Sequence, residues 1–355
     1  MSKRFFYYEL NLLEPAIIGY GTQLDNIVKS KDYIPGSTIL GLFVSLFLKK
    51  GHSIYKNKSQ NYTDYFQTLF LSEKVHFYNA YPIYLTLRNN VCFCYPTPLS
   101  VFGCKYYDQS KRKPVNHHFK DYVFDVKIPD ECDNTKCKSA LEHKNNFVYY
   151  DDKLRQYSVC KRIDMHNSSD DDLYSFEAIE KDNRFYGFIS IEDDIYNKYS
   201  DIIRDMCINT DSMRIGKAKN RGYGKVEFVS PLREKDVSFM KNTNNQNQKT
   251  LSVYCYSDVI IKNEFGQSIS PIPGDLIATG LNLDISLSYW KNESVVLYNA
   301  KRGMPTEKQM TIKKGSVFIY SGDKDVDVNE LPMSIGYWQN SGFGKLIYNH
   351  NRLWE

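Results

Sequence analysis

The chain has 355 residues, is 42% hydrophobic and 15% aromatic, and carries 46 Lys plus Arg against 42 Asp plus Glu. That length accommodates two domains and that apolar content fills buried cores, which excludes a disordered or fibrous protein. The longest apolar run, residues 39–48, is about half of what a bilayer-spanning helix needs, and MSKRFFYYELNLLEPAII alternates like a strand instead of resembling a secretory signal, so a cytoplasmic location without membrane association is expected.

In chain order, residues 3–18 read as a first strand. KDYIPGSTILGLFVSLFLKKG (31–51) supplies a turn at Pro35 and Gly36, with Ser37 or Thr38 capping a helix that runs to Lys50. Polar residues 52–64 read as a loop. Strand-like segments follow near 74–87 and across 173–191, where LYSFEAIEKDNRFYGFISI is rich in aromatic and β-branched residues. Residues 193–207 form a plausible amphipathic helix. IGKAKNRGYGKVEF (215–228) then supplies a glycine turn feeding a strand, which completes a β-α-β-β-α-β order.

KNTNNQNQKT (241–250) lacks apolar anchors and is the candidate linker between a first unit over 1–240 and a second over 251–355. In the second unit LSVYCYSDVIIKNEF echoes the first strand, IPGDLIATGL the first turn, and GSVFIYSG a middle strand. IGYWQNSGFGKLIYN (335–349) repeats the glycine turn. The recurrence predicts an α+β protein built from two copies of one unit, the second with its first helix lost or shortened.

Both glycine loops read Ile-Gly, polar residues, then Gly-aromatic-Gly-Lys. Paired glycines reach positive φ and let backbone approach a ligand. The first copy carries Arg214, Lys217, Lys219, Arg221 and Lys225 and no acidic residue among them. Setting those five aside leaves 41 basic against 42 acidic side chains, so the positive excess of the chain sits in one place. A local basic site fits a nucleic-acid path. An ordinary solvated turn with incidental lysines is the other reading. The second copy has Lys345 as its one cation and carries Tyr337, Trp338 and Phe343, which suits packing or a subunit contact.

YIPGSTILGLF, LYSFEAIEKDNRFYG, IGKAKNRGYGKVEF and IGYWQNSGFGKLIYN together resemble the repeat-associated mysterious protein (RAMP) superfamily of CRISPR effectors. The combination is similar to the type III-D Csx-ten subunit of its Cas-five-like group, and the matching segments span residues 33–349. The resemblance implies two ferredoxin-like (RRM-like) domains with antiparallel sheets. It also implies contact with guide RNA near its 5′ repeat-derived tag, and a non-catalytic place in a type III ribonucleoprotein beside a large polymerase/cyclase-like subunit and a backbone RAMP subunit.

For that role Gly222 and Gly224 bring main chain to a phosphate, while Arg214, Lys217, Lys219, Arg221 and Lys225 supply charge. Tyr223 offers either a stacking face or a packed ring. Arg162, Lys301 and Arg302 are further RNA-binding candidates. Gly36 and Ser37 open a helix whose free amides and dipole suit an anion, or they merely begin a capped helix.

Residues 103–150 form a loop-rich insertion holding several cysteines and histidines. Eight cysteines in a chain without a secretory signal read as reduced thiols or metal ligands. Some members of the resembled family carry a cysteine pair here. The matching set is Cys104, His118, Cys132 and Cys137, for a structural zinc or for four reduced side chains. Cys92 and Cys94 alternate with apolar neighbours as core residues of a strand.

Two rival functions remain. A metal-independent endoribonuclease that cuts repeat RNA would use His166, beside Lys161, Arg162 and Asp164, as its acid or base. Asp25 and Asp32 invite comparison with the aspartate that backbone subunits of the superfamily turn on target RNA. A protein-only adaptor would instead offer the basic loop to an acidic partner.

Overall fold

The structure, a computed structural model, describes residues 3–19, 27–49, 60–86, 90–106, 117–125, 127–134, 137–167, 173–208, 213–235, 248–299 and 304–354. Strand β1 (Lys3–Leu12) buries four consecutive rings, Phe5 to Tyr8. Period-two geometry explains how. Phe6 stacks on Tyr196 and Tyr8 meets Phe43 on one side, while Phe5 and Tyr7 meet Tyr78 and Phe93 on the other. A strand covered on both faces has no polar alternation to show.

Helix α1 (Gly36–Lys49) buries Ile39, Leu42, Phe43, Leu46 and Phe47, the spacing of a single helical face. The Pro35 carbonyl accepts from the amides of Thr38 and Ile39 at 2.9 and 3.1 Å, and a proline before the first turn forfeits no helical donor. Strands β2 (Val75–Phe77) and β3 (Tyr81–Leu85) follow. The insertion contributes β4 (Val101–Cys104), β5 (Phe119–Asp121) and β6 (Leu141–His143), an antiparallel sheet in the order β5-β4-β6. A long hairpin pairs β7 (Lys161–Asn167) with β8 (Leu173–Ile179).

Strand β9 (Arg184–Glu192), helix α2 (Asp193–Met206) and strand β10 (Lys225–Phe228) complete the first half. β9 lies antiparallel along β1 from Lys3↔Glu192 to Asn11↔Arg184, β10 takes the far side of β1, and β2 and β3 both pair with β9. The sheet therefore runs β10-β1-β9-β2/β3, with α1 and α2 supplying Phe43 and Tyr196 to one face.

The second half repeats that order. β11 (Gln248–Cys255), β12 (Asn282–Tyr289), β13 (Val317–Val326) and β14 (Leu346–Tyr348) form the antiparallel sheet β12-β13-β11-β14. Ile34-Pro35-Gly36 recurs as Ile272-Pro273-Gly274, but only one 3-10 turn, Gly274–Leu276, stands where α1 would be. Another 3-10 turn, Val328–Glu330, stands in place of α2. The linker anticipated at 241–250 ends early, because Gln248, Lys249 and Thr250 already belong to β11. Residues 236–247 lie outside the described residues.

One large core crosses between the halves. Tyr254, Tyr256, Val317, Ile319 and Ile347 cluster with the rings of β1, β3 and β9. Hydroxyls fasten this seam: Tyr81 donates to the Tyr256 carbonyl at 2.5 Å, Tyr254 to the Pro96 carbonyl, and the Tyr186 and Tyr256 hydroxyls lie 3.2 Å apart. A second, smaller core lies wholly in the C-terminal half around Val253, Phe318 and Tyr320. Among the described residues no helix is long and apolar enough to cross a membrane.

Candidate nucleic-acid interface

The two glycine loops share one backbone. In residues 215–224 positive φ occurs at Gly216, Ala218, Gly222 and Gly224 (76°, 54°, 81° and 79°). In residues 335–344 it occurs at Gly336, Trp338, Gly342 and Gly344 (80°, 60°, 90° and 78°). The hydrogen bonds correspond as well. Ile215 N bonds Gly224 O at 2.8 Å as Ile335 N bonds Gly344 O at 3.0 Å, and the amides of Gly224 and Gly344 reach Pro15 O and Asp258 O at 2.7 and 2.8 Å.

That geometry separates the two glycines of the first loop. A Cβ on Gly224 would lie 2.0 Å from the Ile215 carbonyl, so this residue closes the neck of the loop, and its role as a phosphate contact is corrected. Gly222 is exposed, and a Cβ there would meet nothing within 4 Å. The tip of the loop is therefore open at this residue.

The five cations also divide. Arg214 grips Glu14 with both terminal nitrogens, Nη2 bonding Oε1 at 2.9 Å, and Nη1 also donates to the Tyr223 carbonyl at 2.7 Å. The Glu14 carboxyl is held below the usual range first by that Arg214 hydrogen bond, with the charges of Arg214 and Lys225 adding to it. Arg214 thus answers a carboxylate of its own fold, which corrects its assignment to RNA, while Lys225 is half-buried. Lys217, Lys219 and Arg221 stand exposed around the tip. The Lys217 ammonium folds back over Gly19, reaching within 2.9 Å of where a Cβ on that glycine would be.

Lys219 has a neighbour that the sequence did not reveal. Partial desolvation and then the charge of Lys49, at the end of α1, hold its ammonium below the ordinary value. Like charges repel, and a bound anion near both relieves that repulsion. α1 packs against Met213–Arg214, and Lys49 is far from Lys219 in sequence, so no local signal could have found it.

Tyr223 is not a stacking face. It is 5% exposed, its hydroxyl donates to Asp164 Oδ2 at 2.6 Å, and its ring meets Phe176 edge-on at 6.3 Å. Burial, then the Asp164 hydrogen bond, pushes its phenol up. Arg162 stays exposed, but its Nε bonds the same Asp164 oxygen at 3.0 Å, so a carboxylate of its own strand shares the charge expected to meet RNA. The outer side of this hairpin carries two apolar side chains that sequence reading passed over, Ile163 and Met165, 69% and 71% exposed. Their i, i+2 spacing in a strand puts them on one face, a signal present in CKRIDMH.

Gly36 is also corrected. Its amide donates to Asn79 Oδ1 at 2.7 Å, and a Cβ on it would lie 2.1 Å from Phe77 O and 2.6 Å from Ser341 O. The start of α1 is capped from within and covered by the second glycine loop, leaving the half-buried Ser37 at a closed entrance. Lys301, Arg302 and Asp25 lie outside the described residues. His166 falls in β7, where Lys161 pairs with Glu177 at 2.7 Å.

In the insertion Cys104, His117, Cys132 and Cys137 bring their donor atoms within 4.8 Å of one another. Three of the four expected ligands are there. The fourth is His117, not His118, whose ring is held by the Tyr122 hydroxyl and by Asp133 Oδ2 at 3.1 Å. Adjacent histidines are indistinguishable by spacing; the turn entering β5 decides which one faces the thiols.

The fold is thus a repeated antiparallel sheet whose first copy carries an exposed basic glycine loop. A sequence model of the RAMP superfamily matches residues 9–227, and the chain belongs to that superfamily. No curated protein sequence matches it. Among solved structures the chain is similar to one from a type III-B Cmr-beta complex bound to cognate target RNA and AMPPnP. That match has 14% identity and a TM-score of 0.40, over 89% of this chain and 86% of that one. It is also similar to one from the Csm3-Csm4 subcomplex of the type III-A CRISPR-Cas interference complex, with 12% identity and a TM-score of 0.41, over 96% and 98%.

Proposed function

We propose that this chain is a non-catalytic RNA-binding architectural subunit of a type III CRISPR effector complex, made of two ferredoxin-like units. It holds the 5′ repeat-derived tag of the guide RNA and meets a large polymerase/cyclase-like subunit and a backbone RAMP subunit. RAMP membership and the β10-β1-β9-β2/β3 strand order, repeated in the second half, support this reading. The observation that carries it is the contrast between the two loops. One backbone design packs its second glycine, Gly342, against the start of α1 in the second copy and presents the matching Gly222 to solvent with Lys217, Lys219 and Arg221 in the first.

A phosphate chain is held there by ammonium and guanidinium groups around the Gly222 tip, with Lys49 extending the path along α1. Ile163 and Met165, exposed on the Lys161–Asn167 strand of the hairpin, offer an apolar surface for unstacked bases. The test is a gel shift of a repeat-derived RNA by purified chain without partners. Wild type is expected to retard it, and the Lys219→Ala/Arg221→Ala double variant to lose at least ten-fold in affinity. Equal binding by both would refute the assignment. Incubating the same RNA without divalent metal tests the absence of catalysis, because cleavage fragments on a denaturing gel would establish a nuclease.

A further inference from the structure

We propose that Cys104, His117, Cys132 and Cys137 bind a structural zinc ion whose role is to seat the insertion on the C-terminal half. The Cys104 and Cys137 sulfurs lie 3.4 Å apart, and Cys132 Sγ lies 3.7 Å from His117 Nδ1. Around a tetrahedral zinc, with Zn–S near 2.3 Å and Zn–N near 2.0 Å, neighbouring ligand atoms stand about 3.5–3.8 Å apart. These pairs are already within a few tenths of an ångström of that spacing. Three thiolates and one imidazole make a closed donor set with no position left for water, the signature of a structural site rather than a catalytic one.

The ligands come from separate pieces of chain, joined by the short pairings of β4 with β5 and β6. Cys104 ends β4, His117 precedes β5, and Cys132 and Cys137 lie ahead of β6. Strands of three or four residues make a sheet too small to stand alone. The surroundings are prepared for thiolate. His118 N donates to Cys132 Sγ at 3.4 Å, and His118 O accepts from Cys104 N at 2.8 Å. His118 is therefore a positioning residue, its ring fixed by Tyr122 and Asp133 while its backbone braces two ligands.

The same small sheet reaches the C-terminal half directly. From β5, Asp121 Oδ2 accepts from Trp354 Nε1 at 3.0 Å and lies 3.1 Å from His350 Nε2. From β4, Phe102 meets Tyr289 at 5.9 Å. Metal lost at one end of the sheet is thus felt at this seam.

The experiment uses full-length chain purified with zinc in the medium, dialysed, and analysed for metal. A second portion is stripped with chelator and titrated with Co(II), whose visible spectrum reports tetrahedral thiolate ligation. Wild type is expected to keep about one zinc per chain and to give that spectrum. His117→Ala and Cys132→Ser should each weaken Co(II) binding at least 100-fold, whereas His118→Ala should retain the spectrum with affinity reduced about ten-fold. Stripping should also shift the Trp354 fluorescence, with Trp354→Phe identifying that component. Less than about a tenth of a zinc in wild type, with no Co(II) spectrum, overturns the site, whatever the variants do. His118→Ala abolishing the spectrum while His117→Ala keeps it overturns the ligand assignment, and stripping that leaves Trp354 emission unchanged overturns the coupling.

Discussion

Gly36 and Gly342 meet backbone to backbone: a Cβ built on Gly36 would stand 2.6 Å from the Gly342 Cα, and one on Gly342 would stand 2.9 Å from the Gly36 Cα. The second glycine loop is thereby the cap of α1. Gly342→Ala is expected to cost about 2–4 kcal/mol, from a positive φ together with a close approach that backbone cannot yield. Gly222→Ala has the same dihedral and open space, and should cost only about 1–2 kcal/mol. Urea unfolding of the two variants measures the difference, and equal losses would contradict the packing.

The loop cations should separate by function. Alanine at Lys219 or Lys49 is expected to lower the slope of log affinity against log salt by about 0.7 for each phosphate no longer neutralised. Arg214→Ala should leave the slope unchanged and instead lower the Tm by roughly 2–4 °C, since its partner is Glu14. Filter binding across a salt series, alongside thermal melts, reads both.

Tyr223 gives a sharper test of where the RNA lies. Tyr223→Phe removes the hydrogen bond to Asp164 and should cost about 1–2 kcal/mol of stability without changing RNA affinity. A ring on which bases stack would tolerate that change, whereas Tyr223→Leu would cost binding selectively. Affinity that tracks the aromatic face rather than stability would put the ring back in the interface.

Acid should destabilise the chain through His76. Burial, and then the charges of Lys3 and Lys345, push its imidazole down to about 3. The fold holds the neutral ring, whose Nε2 donates to the Glu73 carbonyl at 2.7 Å. Below about pH 6.5 the unfolded chain binds a proton that the folded chain refuses. This contribution is therefore complete above that pH and declines by about 1.4 kcal/mol per unit down to about pH 3. His76→Gln should flatten that part of the profile in denaturant unfolding between pH 7 and 4.5.

What was legible in the sequence was local. The spacing of Ile39, Leu42, Phe43, Leu46 and Phe47 set α1, and paired glycines set both loops, because periodicity and backbone sterics act over a few residues. The fate of individual side chains was not local. Glu14 takes Arg214, Asp164 takes Tyr223, and Lys49 comes to Lys219 only when the sheet closes and α1 docks. A basic cluster read along the chain overstates the charge available to a ligand, since the acids that answer it arrive from distant segments. His117 and His118 illustrate the same limit at its smallest scale: one peptide unit decides which ring faces the thiols.

The tyrosine hydroxyls that cross between the halves have a consequence for how the chain is inherited and used. A cut between residues 236 and 247 would strip Tyr81 and Tyr186 of their partner Tyr256, wetting rings that are fully buried in the whole molecule. Two fragments made this way should be insoluble apart and should complement each other when expressed together. On this packing, neither half should serve alone as a module.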